Sequence, residues 1–422
     1  MGATGISGAL YLALIFFLTS HLSATQYGVV GVYQSTVAFF LTLVGLNTAG
    51  AAARSYFDGE EGRARLPRLA AASIHVSLLT ALGLVLIVGA VGQLLAKTLS
   101  VGEEVLLAAV LASTAASLIT LYQSLAQARK QAFAYGTAQT ARSALDLAFS
   151  AGLILMLAAT AENRIFGHLA ALFVVASYGI YRLLTERLLN FTRVYGNHFR
   201  EILRYGVPLT PHALGKFCLA AADKLVVAGL LGLEQAGVYL FASQLAQLIE
   251  LGFGSLNNAI VPWLYQLLSD DEATQTRRLL VRSSLAAFLS IAAFSAVLIF
   301  LVFRYLESLV PAEYSGVAAI LMWLIVGQAA GGYYLLVTNY LFYTRRTGTL
   351  SALTLLAGIV NLIFLFPLVN HFGVTGAAMA FAGTMVLRFL LTFAAAQRVY
   401  PLPWLLTLGE FFVPRSGRDS NG

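Results

Sequence analysis

Twelve apolar runs, each long enough to cross a lipid bilayer, follow one another almost without pause. They fall at about 3–21, 29–54, 69–96, 103–128, 133–160, 166–184, 208–231, 236–266, 280–304, 316–343, 349–370 and 374–397. This repetition constrains the fold more than any motif does. In hydrocarbon an open sheet cannot satisfy its backbone polar groups, so the runs are expected to be helices. The expected architecture is an all-α integral membrane protein whose twelve transmembrane helices form two six-helix bundles around a central cavity. Composition agrees: the 422 residues are 59% hydrophobic and only 11% charged, against about 25% charged for soluble domains. Residues 1–20 have the length of a signal peptide but lack its basic start, and further spans follow at once. They are read as the first span.

The basic residues orient the chain. With the N-terminus in the cytoplasm, the inner segments hold Arg54, Arg63, Arg65 and Arg68; Arg129 and Lys130; Arg182, Arg187, Arg193, Arg200 and Arg204; Arg277, Arg278 and Arg282; Arg345 and Arg346; and Arg398, Arg415 and Arg418. Only Lys97, Arg164 and Arg304 fall in outer loops. Nineteen against three is a strong positive-inside bias, so both termini are expected in the cytoplasm. The same bias accounts for the pI of about 9.5 without a nucleic-acid partner.

The longest inner segment, "TERLLNFTRVYGNHFREILRYG" (185–206), alternates apolar residues with arginine at helical spacing. It reads as an amphipathic linker lying on the inner surface, its arginines toward anionic lipid. The expected units are therefore a bundle over 1–184, the linker, a second bundle over 207–398 and a cytoplasmic tail over 399–422, ending in the disordered "PRSGRDSNG". The halves carry a faint echo: Gln26, Gly28, Val29 and Gly45 match Gln235, Gly237, Val238 and Gly254 at one constant offset. Repeats of this kind build many transporters.

Ionisable groups inside spans cost about 2.5–3.5 kcal/mol each on insertion scales, so they persist only where they pair or meet water. Four are basic (Arg142, Lys216, Lys224, Arg388) and three acidic (Asp146, Asp223, Glu250). Arg142 and Asp146 share one face of the fifth span with Gln139, Ser143 and Ser150. They are four apart and able to pair, as a structural lock or as a cavity wall. His212, Lys216 and Asp223 fall within about 60° on a helical wheel of the seventh span, while Lys224 points about 100° away from Asp223. Lys224 therefore reads as an anchor toward a neighbouring helix or the outer interface. In the eighth span Gln244, Gln247, Glu250, Gly254 and Asn257 or Asn258 form a stripe followed by Pro262. Glu250 has no basic residue a turn away, and is either a proton site or a protonated, helix-tying carboxyl. Weaker stripes lie on span four (Ser117, Thr120, Gln123, Gln127), span two (Asn47, Arg54), span ten (Gln328, Thr338, Asn339), span eleven (Asn361) and span twelve (Arg388).

The sequence also excludes chemistry. No phosphate-binding G-x-x-x-x-G-K-[ST] loop is present, so this chain does not hydrolyse ATP. H-E-x-x-H and G-x-S-x-G are missing, and no outer loop has room for an enzyme domain. One cysteine, Cys218, cannot make a disulfide framework, and no His/Cys cluster implies a metal or other cofactor. The acidic run Asp270-Asp271-Glu272 reads as a solvated loop.

"LRYGVPLTPHALGKFCLAAADKLVVAGLLGLEQAGVYLFASQLAQLIE" (203–250) resembles the seventh and eighth spans of bacterial polysaccharide-export flippases, the O-antigen and capsule lipid-linked oligosaccharide translocases of the multidrug/oligosaccharidyl-lipid/polysaccharide exporter superfamily. The likeness rests on Arg204, Tyr205, Gly206, Val207 and Pro208; on Asp223 with Lys224; and on Gly237, Val238 and Tyr239. "LSATQYGVVGVYQS" (22–35) and "FGVTGAAMAFAGTMV" (372–386) are similar to the family's turns into its second and last spans. One departure is that the first span starts almost at Met1, without the polar stretch and basic residue that often precede it.

The resemblance implies a non-enzymatic transporter in the bacterial inner membrane. It would carry undecaprenyl-diphosphate-linked glycan between leaflets by alternating access, alongside other glycan-assembly proteins and coupled to H+ or Na+. A bulky anionic headgroup needs a cationic, hydrated cavity, for which Arg142, Lys216, Arg388, His212, Gln123, Gln127 and Asn257 are the candidates. Asp223, Glu250 and Asp146 are candidates for ion coupling or gating, and Lys224 for helix anchoring. Two alternatives stand beside this reading: a cation-coupled multidrug or metabolite exporter, which would prefer an acidic cavity, and a membrane-embedded glycan polymerase or acyltransferase, which the short loops disfavour.

Overall fold

The computed structural model describes residues 2–192, 194–269, 274–306, 308 and 310–404. Arg193, the Asp270-Asp271-Glu272 run, Arg415, Arg418 and the "PRSGRDSNG" tail lie outside the described residues. Among the described residues the chain is helical throughout, with no strand. The helices are α1 (Gly2–His21), α2 (Ala24–Leu43), α3 (Thr48–Ser55), α4 (Gly59–Leu99), α5 (Glu103–Ala128), α6 (Ala132–Met156) and α7 (Ala161–Thr185). There follow α8 (Gly196–Gly206), α9 (Thr210–Ala220), α10 (Ala222–Leu231), α11 (Leu233–Ser269), α12 (Thr274–Leu301), α13 (Val317–Tyr343) and α14 (Thr347–Val399). Local sequence sets several boundaries. Ser23 and Thr160 cap α2 and α7 by accepting from the amides of Gln26 and Asn163.

Twelve crossings result because three helical stretches are not simple rods. The second span is α2 and α3, separated where Gly45, Leu46 and Asn47 take φ of 75°, 44° and 57°. Left-handed φ costs about 1–2 kcal/mol at each non-glycine residue. A side chain at Gly45 would also strike Ser117 Oγ at 2.5 Å. The seventh span is α9 and α10, broken at Ala221 (φ −141°, ψ −23°). The last two spans are the halves of α14, hinged at Gly373 (φ 59°, ψ −142°), a conformation open to glycine almost alone.

Length and composition alone qualify seven stretches as membrane-crossing: 24–55, 59–99, 103–128, 161–185, 276–306, 317–343 and 347–399, the last long enough for two passes. The spans that fall short are α1, α6, α9 with α10, and α11. All but α1 carry intramembrane charges identified above, six of the seven; the seventh, Arg388, lies in α14. Polarity is thus concentrated on a few elements.

In the first half α4, α5 and α7 pack together, with α6 against α7 and α1 against α6. In the second, α13 packs on α11, α12 and α14, and α14 also covers α9 and α10. The halves meet chiefly where α2 lies along α11. There one buried cluster joins Leu14, Leu18, Tyr27 and Val30 to Tyr239, Phe241, Tyr314 and Leu324. This seam closes the arginine-poor face of the molecule. Tyr314 donates to the carbonyl of Leu22 at 3.0 Å, and Glu313 accepts from the amide of Ala24 at 3.2 Å.

The linker is only partly helical. Residues 186–192, 194 and 195 form turns and irregular chain, and among the described residues of the linker after Thr185 the helix is confined to α8. It buries His198, Ile202 and Gly206 and packs on α3 and α4. The described residues of the earlier stretch 188–195 make no helical run, with Arg187 before them at φ 55° and Asn190 donating its amide to the carbonyl of Pro67 at 3.0 Å.

Candidate substrate cavities

The break in the second span and the first part of the seventh face each other across a cavity of about 380 Å³. Its walls include Thr42, Gly45, Asn47, Ser117, Thr120 and Lys216. Lys216 is exposed in α9, and among the described residues it has no acidic partner within ion-pair distance. Asn47 Nδ2 is buried without a hydrogen-bond partner there. His212, one turn before Lys216, lies within electrostatic reach of both Lys216 and Arg388, and its Nδ1 is likewise unpartnered. The Arg388 guanidinium sits 3.7 Å above the Tyr334 ring, a cation–π contact that leaves its charge uncancelled.

Two of the three acidic residues are already neutralised. Asp146 is paired with Arg164, which donates at 2.6 and 3.2 Å to its two oxygens and at 2.8 Å to Ser150 Oγ. This corrects two expectations. Arg164 is not an outer-loop residue: it lies in the first turn of α7 and is only 3% exposed. And Arg142 makes no ion pair with Asp146, although the two are within electrostatic reach. The hairpin of α6 and α7 brings in an arginine 18 positions away that reaches the carboxylate bidentately. The pair leaves Arg142 half-buried, without an ion-pair partner among the described residues.

Asp223 and Lys224 also pair with each other. Lys224 Nζ donates to Asp223 Oδ1 at 3.2 Å and to the Ala220 carbonyl at 3.0 Å, while Tyr239 OH donates to Asp223 Oδ2 at 2.5 Å. Lys224 is 5% exposed, so it does not reach an interface, and its ammonium lies 5.7 Å from the centroid of the Tyr239 ring on the neighbouring α11. The wheel misplaced Asp223 relative to Lys216 because the helix ends at Ala221 and restarts. Ala220, the last residue before the break, has its carbonyl free to accept the ammonium. Asp223 accordingly does not share the Lys216 cavity.

It borders a second cavity of about 500 Å³, whose walls include Lys224, Gln247, Glu250, Asn258 and Gln328. Glu250 is exposed there and has no hydrogen-bond or ion-pair partner among the described residues. Ala220 belongs to the walls of both cavities, so the break in the seventh span is their common partition. Asn258 faces this space, whereas Asn257 accepts from Asn339 Nδ2 at 2.8 Å. Gln123 and Gln127 lie farther along α5 and are absent from the walls of either cavity.

Two participants had no sequence signal for their roles. Tyr239 was marked only by the family likeness and Tyr334 was one of 19 tyrosines; packing shows the first on a carboxylate and the second under a guanidinium. The span-two break did have one, the run "VGLN" (44–47), in which glycine and asparagine are the residues that best tolerate left-handed backbone.

Twelve spans in two packed halves, with polar cavities at broken helices, define a multi-pass membrane protein. The chain matches the family described as "Polysaccharide biosynthesis protein" over residues 1–268 and belongs to that family. It is 24% identical to "Lsg locus putative protein 1" of Haemophilus influenzae across 84% of this chain and 86% of that one. Two solved structures share the fold. One is "Lipid II flippase MurJ, inward closed conformation" (TM-score 0.74, 16% identity, 94% of this chain and 86% of that one). The other is an inward-facing multidrug resistance MATE family transporter of the MOP superfamily (TM-score 0.73, 15% identity, 93% and 94%).

Proposed function

We propose that this protein is a flippase for undecaprenyl-diphosphate-linked oligosaccharide, moving its headgroup from the inner to the outer leaflet of the bacterial inner membrane. The observation that carries this reading is the charge left after pairing. Asp146 is matched by Arg164 and Asp223 by Lys224, so Arg142, Lys216 and Arg388 stand against Glu250 alone. Lys216 walls the cavity of about 380 Å³, while Arg142 and Arg388 are absent from the walls of both cavities described above; this surplus of unpaired cations favours an anionic cargo, and phosphate oxygens suit guanidinium and ammonium donors. A cavity of about 380 Å³ is the size of a small-molecule site; it suits the diphosphate and its first sugar, with the rest of the glycan outside and the polyprenyl tail in lipid.

The family match and the likeness to a lipid II flippase support the same substrate class. With the termini in the cytoplasm, as the arginine distribution favours, the sealed seam of α2 and α11 is periplasmic. The chain is then in an inward state, as both named structures are. Transport proceeds by rocking of the halves 1–184 and 207–398 about the 185–206 linker. Glu250 is the candidate coupling group for H+ or Na+, because Asp223 and Asp146 are already bonded on both oxygens or both sides.

The test is translocation of labelled lipid-linked oligosaccharide in proteoliposomes. R142Q, K216Q and R388Q are each expected to slow transport at least tenfold while leaving the melting temperature within a few degrees. Absence of transport by the unaltered protein, together with efflux of cationic drugs from cells, overturns the proposal in favour of the multidrug reading. A product whose glycan is lengthened or acylated rather than moved favours the enzyme reading.

A further inference from the structure

A third cavity, of about 510 Å³, lies on the arginine-rich face, between α3 and the linker helix α8. Its walls include Arg54 from α3 and Arg200, Arg204 and Tyr205 from α8, with Asp58 and Glu201 as its acidic members. Glu201 is engaged by Arg65 at 3.3 Å, outside this wall. The three arginines have no ion-pair partner among the described residues, which leaves them opposed by Asp58 alone. The Arg54 guanidinium carbon lies 5.4 Å from the centroid of the Tyr205 ring, within cation–π range, a contact that leaves its N–H groups free.

From this geometry we infer that the pocket binds a phosphate-bearing anion at the membrane surface, either the headgroup of an anionic lipid or a soluble diphosphate. Three guanidiniums converging from two helices match the several acceptor oxygens of a phosphate, and their position beside the amphipathic α8 puts them at headgroup depth. The site is separate from the Lys216 cavity and does not depend on what that cavity carries.

Its location gives binding a mechanical consequence. α3 begins directly after the break in the second span, and α8 runs directly into the seventh. The two are already pressed together: a side chain on Gly206, the last residue of α8, would lie 2.2 Å from the carbonyl oxygen of Leu46 in that break. An anion bridging Arg54 to Arg200 and Arg204 ties the lower part of the second span to the start of the seventh. These are the two spans whose breaks bound the Lys216 cavity.

The test is native mass spectrometry of the full chain in detergent, titrated with phosphatidylglycerol, phosphatidylcholine or inorganic diphosphate. The unaltered protein is expected to retain phosphatidylglycerol at least tenfold more tightly than phosphatidylcholine. R54Q/R200Q/R204Q is expected to lose that preference, and R187Q/R345Q/R346Q, which removes the same charge from the same face, to keep it. Competition by inorganic diphosphate identifies a site open to free phosphates, and its absence a lipid-headgroup site. Equal loss in both variants, or no preference for phosphatidylglycerol with no diphosphate binding, overturns the inference. If the triple variant is not monodisperse, R200Q/R204Q, which alters only exposed positions of α8, gives the same readout.

Discussion

Gly28 and Gly237 press reciprocally on each other's helices across the seam between the halves. A Cβ on Gly28 would stand 1.8 Å from the carbonyl oxygen of Leu233, and one on Gly237 would stand 1.9 Å from that of Ala24. Each glycine thus meets the residue four positions before the other. The faint sequence echo between the second and eighth spans includes this pair, so what looked like coincidence in common residues is a two-fold contact. Tyr27 donates to Gln244 beside it, and Gln244 in turn donates to Gln34 at 3.2 Å.

Alanine at either glycine therefore has to separate α2 from α11. G28A or G237A is expected to widen the arginine-poor face and shift the protein away from its present state. Spin labels at T25C and E234C, in a C218A background, measure that opening as a longer inter-label distance. An unchanged distance distribution in a folded G28A protein means the contact is not a seal.

The Asp146–Arg164 pair is predicted to be structural. Removing one partner strands a buried charge, which typically costs about 3–5 kcal/mol. D146N and R164M should each lower thermal stability sharply, and D146L/R164M should recover much of the loss. Melting curves of the three purified variants decide this. If D146N is as stable as the unaltered protein but inactive in transport, the carboxylate belongs to the cargo path instead.

Glu250 and Asp223 border one cavity but are predicted to behave differently. E250Q should abolish the response of transport to an imposed H+ or Na+ gradient with little change in stability. D223N should mainly destabilise, since it weakens the hold on both Lys224 and Tyr239; Y239F should cost about 1 kcal/mol. Gradient-driven flux in proteoliposomes, measured beside melting temperature, separates the two. Full gradient response in E250Q removes it from the coupling role.

On the arginine-rich face Glu186 receives hydrogen bonds from Arg129 and, at 2.5 Å, from Arg182. Partial burial pushes the Glu186 carboxyl up, but the two arginines outweigh it and hold the group below the usual carboxylate range. A depressed folded value means stability that is present above the unfolded pKa of about 4.3 and lost as pH falls through the folded one. E186Q should therefore be less stable by about 1 kcal/mol near neutrality, and the gap should close below about pH 4. Thermal melts across pH 3–7 check the sign. A gap that widens on acidification contradicts it.

The sequence disclosed the twelve spans because membrane helices are specified by length and apolarity, which need no neighbours to be read. It also disclosed which residues are costly inside the bilayer. Pairing was harder, because partners come from other helices: Arg164 reaches Asp146 only after α6 and α7 fold into a hairpin. The helical wheel failed to separate Asp223 from Lys216 for a different reason. A wheel assumes unbroken helix, and Ala221, an ordinary helix former, marks the break without any local breaker residue. By contrast "VGLN" contained its own warning in Gly45 and Asn47.

The break at 45–47 has a consequence for genetics. Where α2 stops, main-chain carbonyls lose their intrahelical partners, and that backbone walls the cavity opposite Lys216. Replacing the side chain of Leu41 leaves those carbonyls in place and will be nearly silent. Amide-to-ester substitution would register them. Relatives with unrelated side chains at these positions can keep the same polar surface, so drift in this stretch of sequence need not mean drift in cargo.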